Sequence, residues 1–155
     1  MELRMTLPEP AYLLKIGIFS YAVSSLEWTA LGDLSRLASV LPKTLTVDRL
    51  SARTTGQIAN ELADATPKIN DVAVRAYVEA LATALTVVAK RRNDLLHARP
   101  ATVDGEQRLY RWYRNPKTGE VTSFAITDSW LDEQLSLIDR HSNLVSALRP
   151  PFDDA

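Results

Sequence analysis

The sequence contains no cysteine. Disulfides, thiolate zinc sites and cysteine nucleophiles are therefore excluded, and the composition suits a reducing cytosol. Net charge is also scarce: 18 Lys and Arg against 19 Asp and Glu give a formal charge of -1. Any attraction to nucleic acid must come from a local patch and not from bulk charge. Long apolar runs are lacking too. Lys15, Glu27, Asp33 and Arg75 interrupt the longest stretches before the ~20 residues that cross a bilayer, so no membrane span is expected. The start of the chain holds Glu2, Glu9 and prolines at 8 and 10. It has no basic region leading to a small-residue cleavage site, and no signal peptide is expected. Internal repeats and low-complexity tracts are absent. What remains is globular in texture, with 46% hydrophobic and 24% charged residues among 155, enough for a single domain over 1–155. At this size folding removes roughly two thirds of the surface of the unfolded chain, so one real core forms.

From Ala11 to Leu41 the residues Tyr12, Ile16, Phe19, Val23, Leu26, Ala30, Leu34, Leu37 and Leu41 recur at steps of three and four, the period of an amphipathic helix. Prolines 10 and 42 bound it, and Gly17 and Gly32 weaken it. Residues 42 to 53 show little periodicity. Thr54-Thr55-Gly56-Gln57 then has the spacing of a capping box ahead of a short second helix that Pro67 closes. Asn70 or Asp71 can cap a third helix that carries Val74, Tyr77, Val78, Leu81, Leu85, Val88, Leu95 and Leu96 toward Pro100. Beyond it, Arg108–Arg114 and Glu120–Ile126 are rich in aromatic and β-branched residues. They flank Asn115-Pro116-Lys117-Thr118-Gly119, which predicts a β-hairpin over about 107–126 with Gly119 in the left-handed region. Thr127 or Asp128 caps a last helix ending at Pro150, and the tail 152–155 is expected to fray. The expected architecture is all-α: an antiparallel helical bundle with a hairpin inserted before its last helix.

The third helix ends in Arg92-Asn93-Asp94-Leu95-Leu96-His97. Arg92 lies four residues after Val88 and four before Leu96, on the apolar stripe, where an unpaired guanidinium costs several kcal/mol. It needs a carboxylate or a cleft that admits an anion. Glu27, on the apolar stripe of the first helix, is the candidate partner. His97 follows Asn93 by four residues and Asp94 by three, so either can orient its imidazole. An acid-base group beside a cation is what RNA cleavage requires. The same residues also fit a basic cap on a helix carboxyl end with a structural ion pair. Neither Glu27, Asp33, His97 nor His141 has the local spacing of a metal-ligand set, so no metal and no cofactor is expected, and His141 reads as structural.

The hexapeptide resembles the signature of the HEPN superfamily: Arg, a polar residue, three further residues and His. The resemblance covers residues 11 to 97 as helical context and implies a helical, usually dimeric protein. Many such proteins are metal-independent endoribonucleases of toxin–antitoxin, defence or RNA-processing systems. By that resemblance His97 is the general acid or base, Arg92 holds the scissile phosphate and Asn93 positions the pair, with Glu27 and Asp94 in support. Arg99 stands where one subgroup has a nucleotidylated Tyr, which argues against that form of regulation. The expected partners are RNA, a second copy of the chain and an antitoxin or other regulatory protein, in the cytoplasm and without a membrane. Arg91, Arg99, Arg111 and Arg114 are the expected RNA contacts. The hairpin interleaves its cations with Tyr110, Trp112 and Tyr113, a composition that suits unpaired bases. It equally suits a sheet with one face packed on the bundle and its arginines solvated. With only His97 at the hexapeptide, one imidazole per chain cannot easily serve as both base and acid, and a two-fold dimer supplies the second. The alternative is a non-catalytic helical interaction or RNA-binding module in which Arg92 pairs with Glu27 for structure alone.

Overall fold

The computed structural model describes residues 6–151. Glu2 and the tail 152–155 lie outside them. The chain runs through α1 (Pro10–Arg36), α2 (Val47–Leu50), α3 (Thr55–Ala65), a 3-10 turn (Thr66–Lys68), α4 (Val72–Leu96), β1 (Arg99–Val103), β2 (Glu106–Arg114), β3 (Val121–Ile126) and α5 (Asp128–Leu148). The helix starts follow their side chains. Thr54 and Gln57 form a reciprocal capping box at α3, Asp71 accepts the Val74 N–H at 3.0 Å, and Thr127 accepts the Trp130 N–H at 3.1 Å. The first helix is shorter than its periodicity suggests. It stops at Arg36, and Leu37 and Leu41 reach the core from the turns that follow.

The all-α expectation is overturned. The hairpin is two thirds of a three-stranded antiparallel sheet in the order β1-β2-β3. Strand β1 sits where Pro100 suggested only the end of a helix, and Pro100 lies opposite Leu109 on an edge strand, the place a sheet tolerates proline. Asp104 and Gly105 both have positive φ, 51° and 82°, and make the two-residue turn that matches the twist of paired strands. The second turn forms around Asn115, whose side chain accepts the Lys117 N–H at 2.9 Å, with Gly119 at φ 72°.

The uniformly antiparallel bundle is corrected as well. Lys15 lies beside Asp128 and Asp132, and Asp33 lies beside Arg149, so α1 and α5 run parallel. Both helices leave from the sheet. Between them α4 runs back toward it, with Tyr77 near its start bonded to Asp33 late in α1. In composition and length α4 could cross a membrane, but more than half of its apolar stretch is buried by its neighbours, as in the central helix of a core.

The sheet is fastened to α1 by Tyr12, which is fully buried. Its hydroxyl donates to the Ile126 carbonyl at 2.7 Å and accepts from the Leu109 N–H at 3.1 Å. Arg108 stacks on the Tyr12 ring at 4.7 Å and meets Glu9 at 2.9 Å, Glu106 at 2.5 Å and Asp128 at 3.0 Å. This hairpin arginine is thus a neutralised structural cation that joins the start of α1, the sheet and the start of α5.

Candidate functional site

The end of α4 meets the sheet at a cavity of about 820 Å³. His97 and Asn93 line it from α4, Arg99 from β1, and Tyr110 through Arg114 from β2. His97 is the residue that caps α4, its N–H bonded to the Asn93 carbonyl at 3.1 Å, and its imidazole is exposed. A cation is favoured at this carboxyl end of the helix. Strand β1 pairs with β2 only as far as Arg99 opposite Tyr110. From Arg111 to Arg114 β2 is therefore paired on one side only, with β3, and the cavity opens along that free edge.

The lining carries three arginines, one histidine and no carboxylate, in a chain whose formal charge is -1. Arg99 and Arg114 are exposed, and neither has an ion-pair partner among the described residues. Arg111 differs. Its Nε contacts Asp94 at 3.5 Å, its guanidinium donates to the Trp112 carbonyl at 3.1 Å, and it lies 5.2 Å from the Tyr113 ring centre. Three aromatic rings border the same space and remain accessible: Tyr110 is 37%, Trp112 57% and Tyr113 42% exposed.

The predicted site residues divide into three groups. His97, Asn93, Arg99, Arg111 and Arg114 share the cavity. Arg92 does not line it. A helix turns about 100° per residue, so five residues leave Arg92 and His97 about 140° apart around α4. Arg92 reaches instead toward α3, where it donates to the Thr55 hydroxyl at 3.5 Å. That hydroxyl in turn donates to Glu27 in a short hydrogen bond. The expected direct Glu27–Arg92 ion pair is thus replaced by a bridge through Thr55, a residue the sequence marked only as part of a cap. Arg92 has no ion pair among the described residues, and most of its five donors stay uncommitted.

The third group is Arg91 with Asp94. Asp94 engages Arg111 and, at 3.8 Å, Arg91, and it makes no hydrogen bond to the His97 imidazole, so the expected orientation of His97 by Asp94 is not formed. Arg91 lines a separate groove against α5 with Asp132, Glu133 and Arg140. Its one ion pair among the described residues is the 3.8 Å contact with Asp94, and it stands outside the His97 cavity. Tyr110 and Trp112 were visible in the sequence as hairpin aromatics, whereas the contribution of β1 was hidden behind Pro100.

Among the described residues no group of three or more His, Asp or Glu side chains is placed to hold a metal ion. No protein-family model matches the chain, and neither a curated protein nor a solved structure matches it.

Proposed function

We propose that this chain is an RNA-cleaving protein of the HEPN kind, a metal-independent endoribonuclease working at the His97 cavity. One observation carries the reading: an acid-base side chain, two unneutralised arginines and three accessible aromatic rings border one carboxylate-free cavity. In the reaction the RNA 2′-oxygen attacks the adjacent phosphorus and loses its proton to a base, the bond from phosphorus to the 5′-oxygen breaks, and an acid protonates the leaving oxygen. The products are a 2′,3′-cyclic phosphate and a 5′-hydroxyl. His97 supplies the acid or the base. Arg99 and Arg114 neutralise the backbone within the chain, and Asn93 adds an amide beside them. The spare donors of Arg92 face away from this cavity in the monomer, so its contact with phosphate requires a second copy, which also brings the second imidazole. The cytoplasm is the proposed location and an antitoxin or regulatory protein the proposed control.

The test is cleavage of a labelled RNA by the purified protein in EDTA. The expected result is a cyclic-phosphate product and its loss in His97→Ala, a substitution of an exposed residue that leaves the fold intact. Equal cleavage by His97→Ala, or none by the wild type, overturns the proposal.

A second reading has its own observation. The Glu27–Thr55–Arg92 bridge ties α1, α3 and α4 together, as in an RNA-binding module in which Arg92 serves only stability. In that case Arg92→Ala lowers the melting temperature, and RNA is bound but never cut.

A further inference from the structure

The alternation of a strand sorts β2 into two faces. Leu109 and Arg111 turn toward the helices, the latter to Asp94. Their cross-strand partners do the same: Phe124 packs 6.0 Å from Trp130, and Ile126 is fully buried. Tyr110, Trp112 and Arg114 stand on the opposite face. There the sequence places small residues across from the rings, Ala125 opposite Tyr110 and Ser123 opposite Trp112, while Arg99 lies across from Tyr110 on the other side. On the β3 side only small residues face the two aromatics, Arg99 is the one long side chain across from Tyr110, and exposed arginines stand at both ends of the row.

An aromatic ring left open to water among small neighbours gives up the packing that normally justifies it in a sheet. Two such rings, spaced two residues apart, lie about 7 Å from each other along the strand, a separation that accepts two successive unstacked bases. Arginines flanking them match the charge of the connecting phosphates. A double helix offers the phosphates but not the bases. Its bases are enclosed by pairing, and its backbone cannot bring ring faces onto a flat sheet.

We infer that this outer face of the sheet is a base-stacking platform, with Trp112 and Tyr110 as the stacking rings and Arg99 and Arg114 as phosphate contacts. The His97 cavity is thereby fed with single-stranded RNA. The inference rests on the proposal that the cavity takes RNA, and it adds the class of RNA and the residues that select it. It also gives β1 a role, since Arg99 is brought beside Tyr110 only by the strand that the helical pattern did not foretell.

Binding is measured with the His97→Ala protein, which separates recognition from turnover, using a fluorescently labelled single-stranded oligouridine and the same length of RNA duplex. The expected result is single-strand binding at least tenfold tighter than duplex binding. Trp112→Ala weakens the single strand about tenfold, Trp112→Phe restores most of it, and Arg114→Ala reduces the salt dependence while Trp112→Ala does not. Trp112 is 57% exposed, so its removal leaves the core untouched, and a circular-dichroism melt of each variant checks this. Equal affinity for duplex and single strand, or unchanged affinity in Trp112→Ala, overturns the platform. Selective binding by a wild-type protein that cuts nothing overturns the nuclease proposal alone. Cleavage at an unchanged rate by Trp112→Ala at limiting RNA overturns the platform alone.

Discussion

Asp33 is 1% exposed and is held on both sides, by a short hydrogen bond from Tyr77 and by Arg149, whose Nε lies at 2.8 Å. Burial, followed by the Asp33 carboxylate, raises the Tyr77 phenol well above its ordinary value of 10.0. The folded state therefore keeps a proton that the unfolded state gives up. Stability from this group is fully present below pH 10 and falls as pH rises from there toward the folded value. Thermal melts between pH 8 and 11 are expected to show an alkaline loss that is shallower in Tyr77→Phe. An identical slope in the variant would rule out this tyrosine as the cause. Thr55 is the other decisive residue. Thr55→Val removes the donor to Glu27 and the acceptor from Arg92 together, and is expected to cost about 1–2 kcal/mol in urea unfolding. A value near zero would show that the bridge contributes nothing. The sequence put Glu27 and Arg92 on the facing stripes that do approach each other. It could not reveal the hydroxyl between them, because the position of a residue 28 places away depends on how three helices pack.

At the scale of elements, the caps were legible because capping is local: Thr54, Asp71 and Thr127 each meet an N–H three residues onward. The Asn115–Gly119 turn was legible for the same reason. Strand β1 was not, since Pro100 carries a strong signal for ending a helix, and that signal masked the Asp104-Gly105 dipeptide that announces a hairpin. The structural role of Arg108 was not legible, because its partner Glu9 lies 99 residues away. Docking of the sheet on α1 depends on the Tyr12 hydroxyl, whose two hydrogen bonds span neighbouring strands. Tyr12→Phe leaves the Leu109 N–H and the Ile126 carbonyl unsatisfied inside the protein, at a cost of about 1–3 kcal/mol. Hydrogen exchange is expected to show the Leu109 amide losing protection while the amides of α4 keep theirs. Unaltered protection at Leu109 would mean that the Tyr12 hydroxyl does not hold the sheet.

Over the whole molecule the least explained surface is α1. Between Ala11 and Ser35 every exposed residue of this helix is uncharged; Lys15 is tied to Asp128 and Asp132, Glu27 is taken by Thr55, and Asp33 is buried. On that face Leu14 is 63%, Ile18 46%, Tyr21 78% and Trp28 76% exposed, at the heptad steps by which helices pair. A helix meant for water carries charges, and an apolar face of this length in water favours burial against a partner. The second copy proposed for the mechanism is a candidate occupant. A charge-free face offers a different partner no opposite charge to recognise, yet is complementary to itself. In the proposed dimer a two-fold axis at Tyr21 would set Leu14 of one copy against Trp28 of the other, with the exposed small residues Gly17, Ser24 and Ser25 leaving room between them. Sedimentation equilibrium is expected to give about twice the chain mass of 17.2 kDa. Tyr21→Lys, which places like charges across the axis, should return it to one chain mass with unchanged helix content. A wild-type monomer at tens of micromolar, well within the range of a specific interface, would remove α1 as the dimer face. If Tyr21→Lys is monomeric and cleaves RNA at the wild-type rate, one imidazole suffices and the two-copy mechanism is wrong. Loss of cleavage with retained single-strand binding would place the second copy in the chemistry and leave recognition to the sheet.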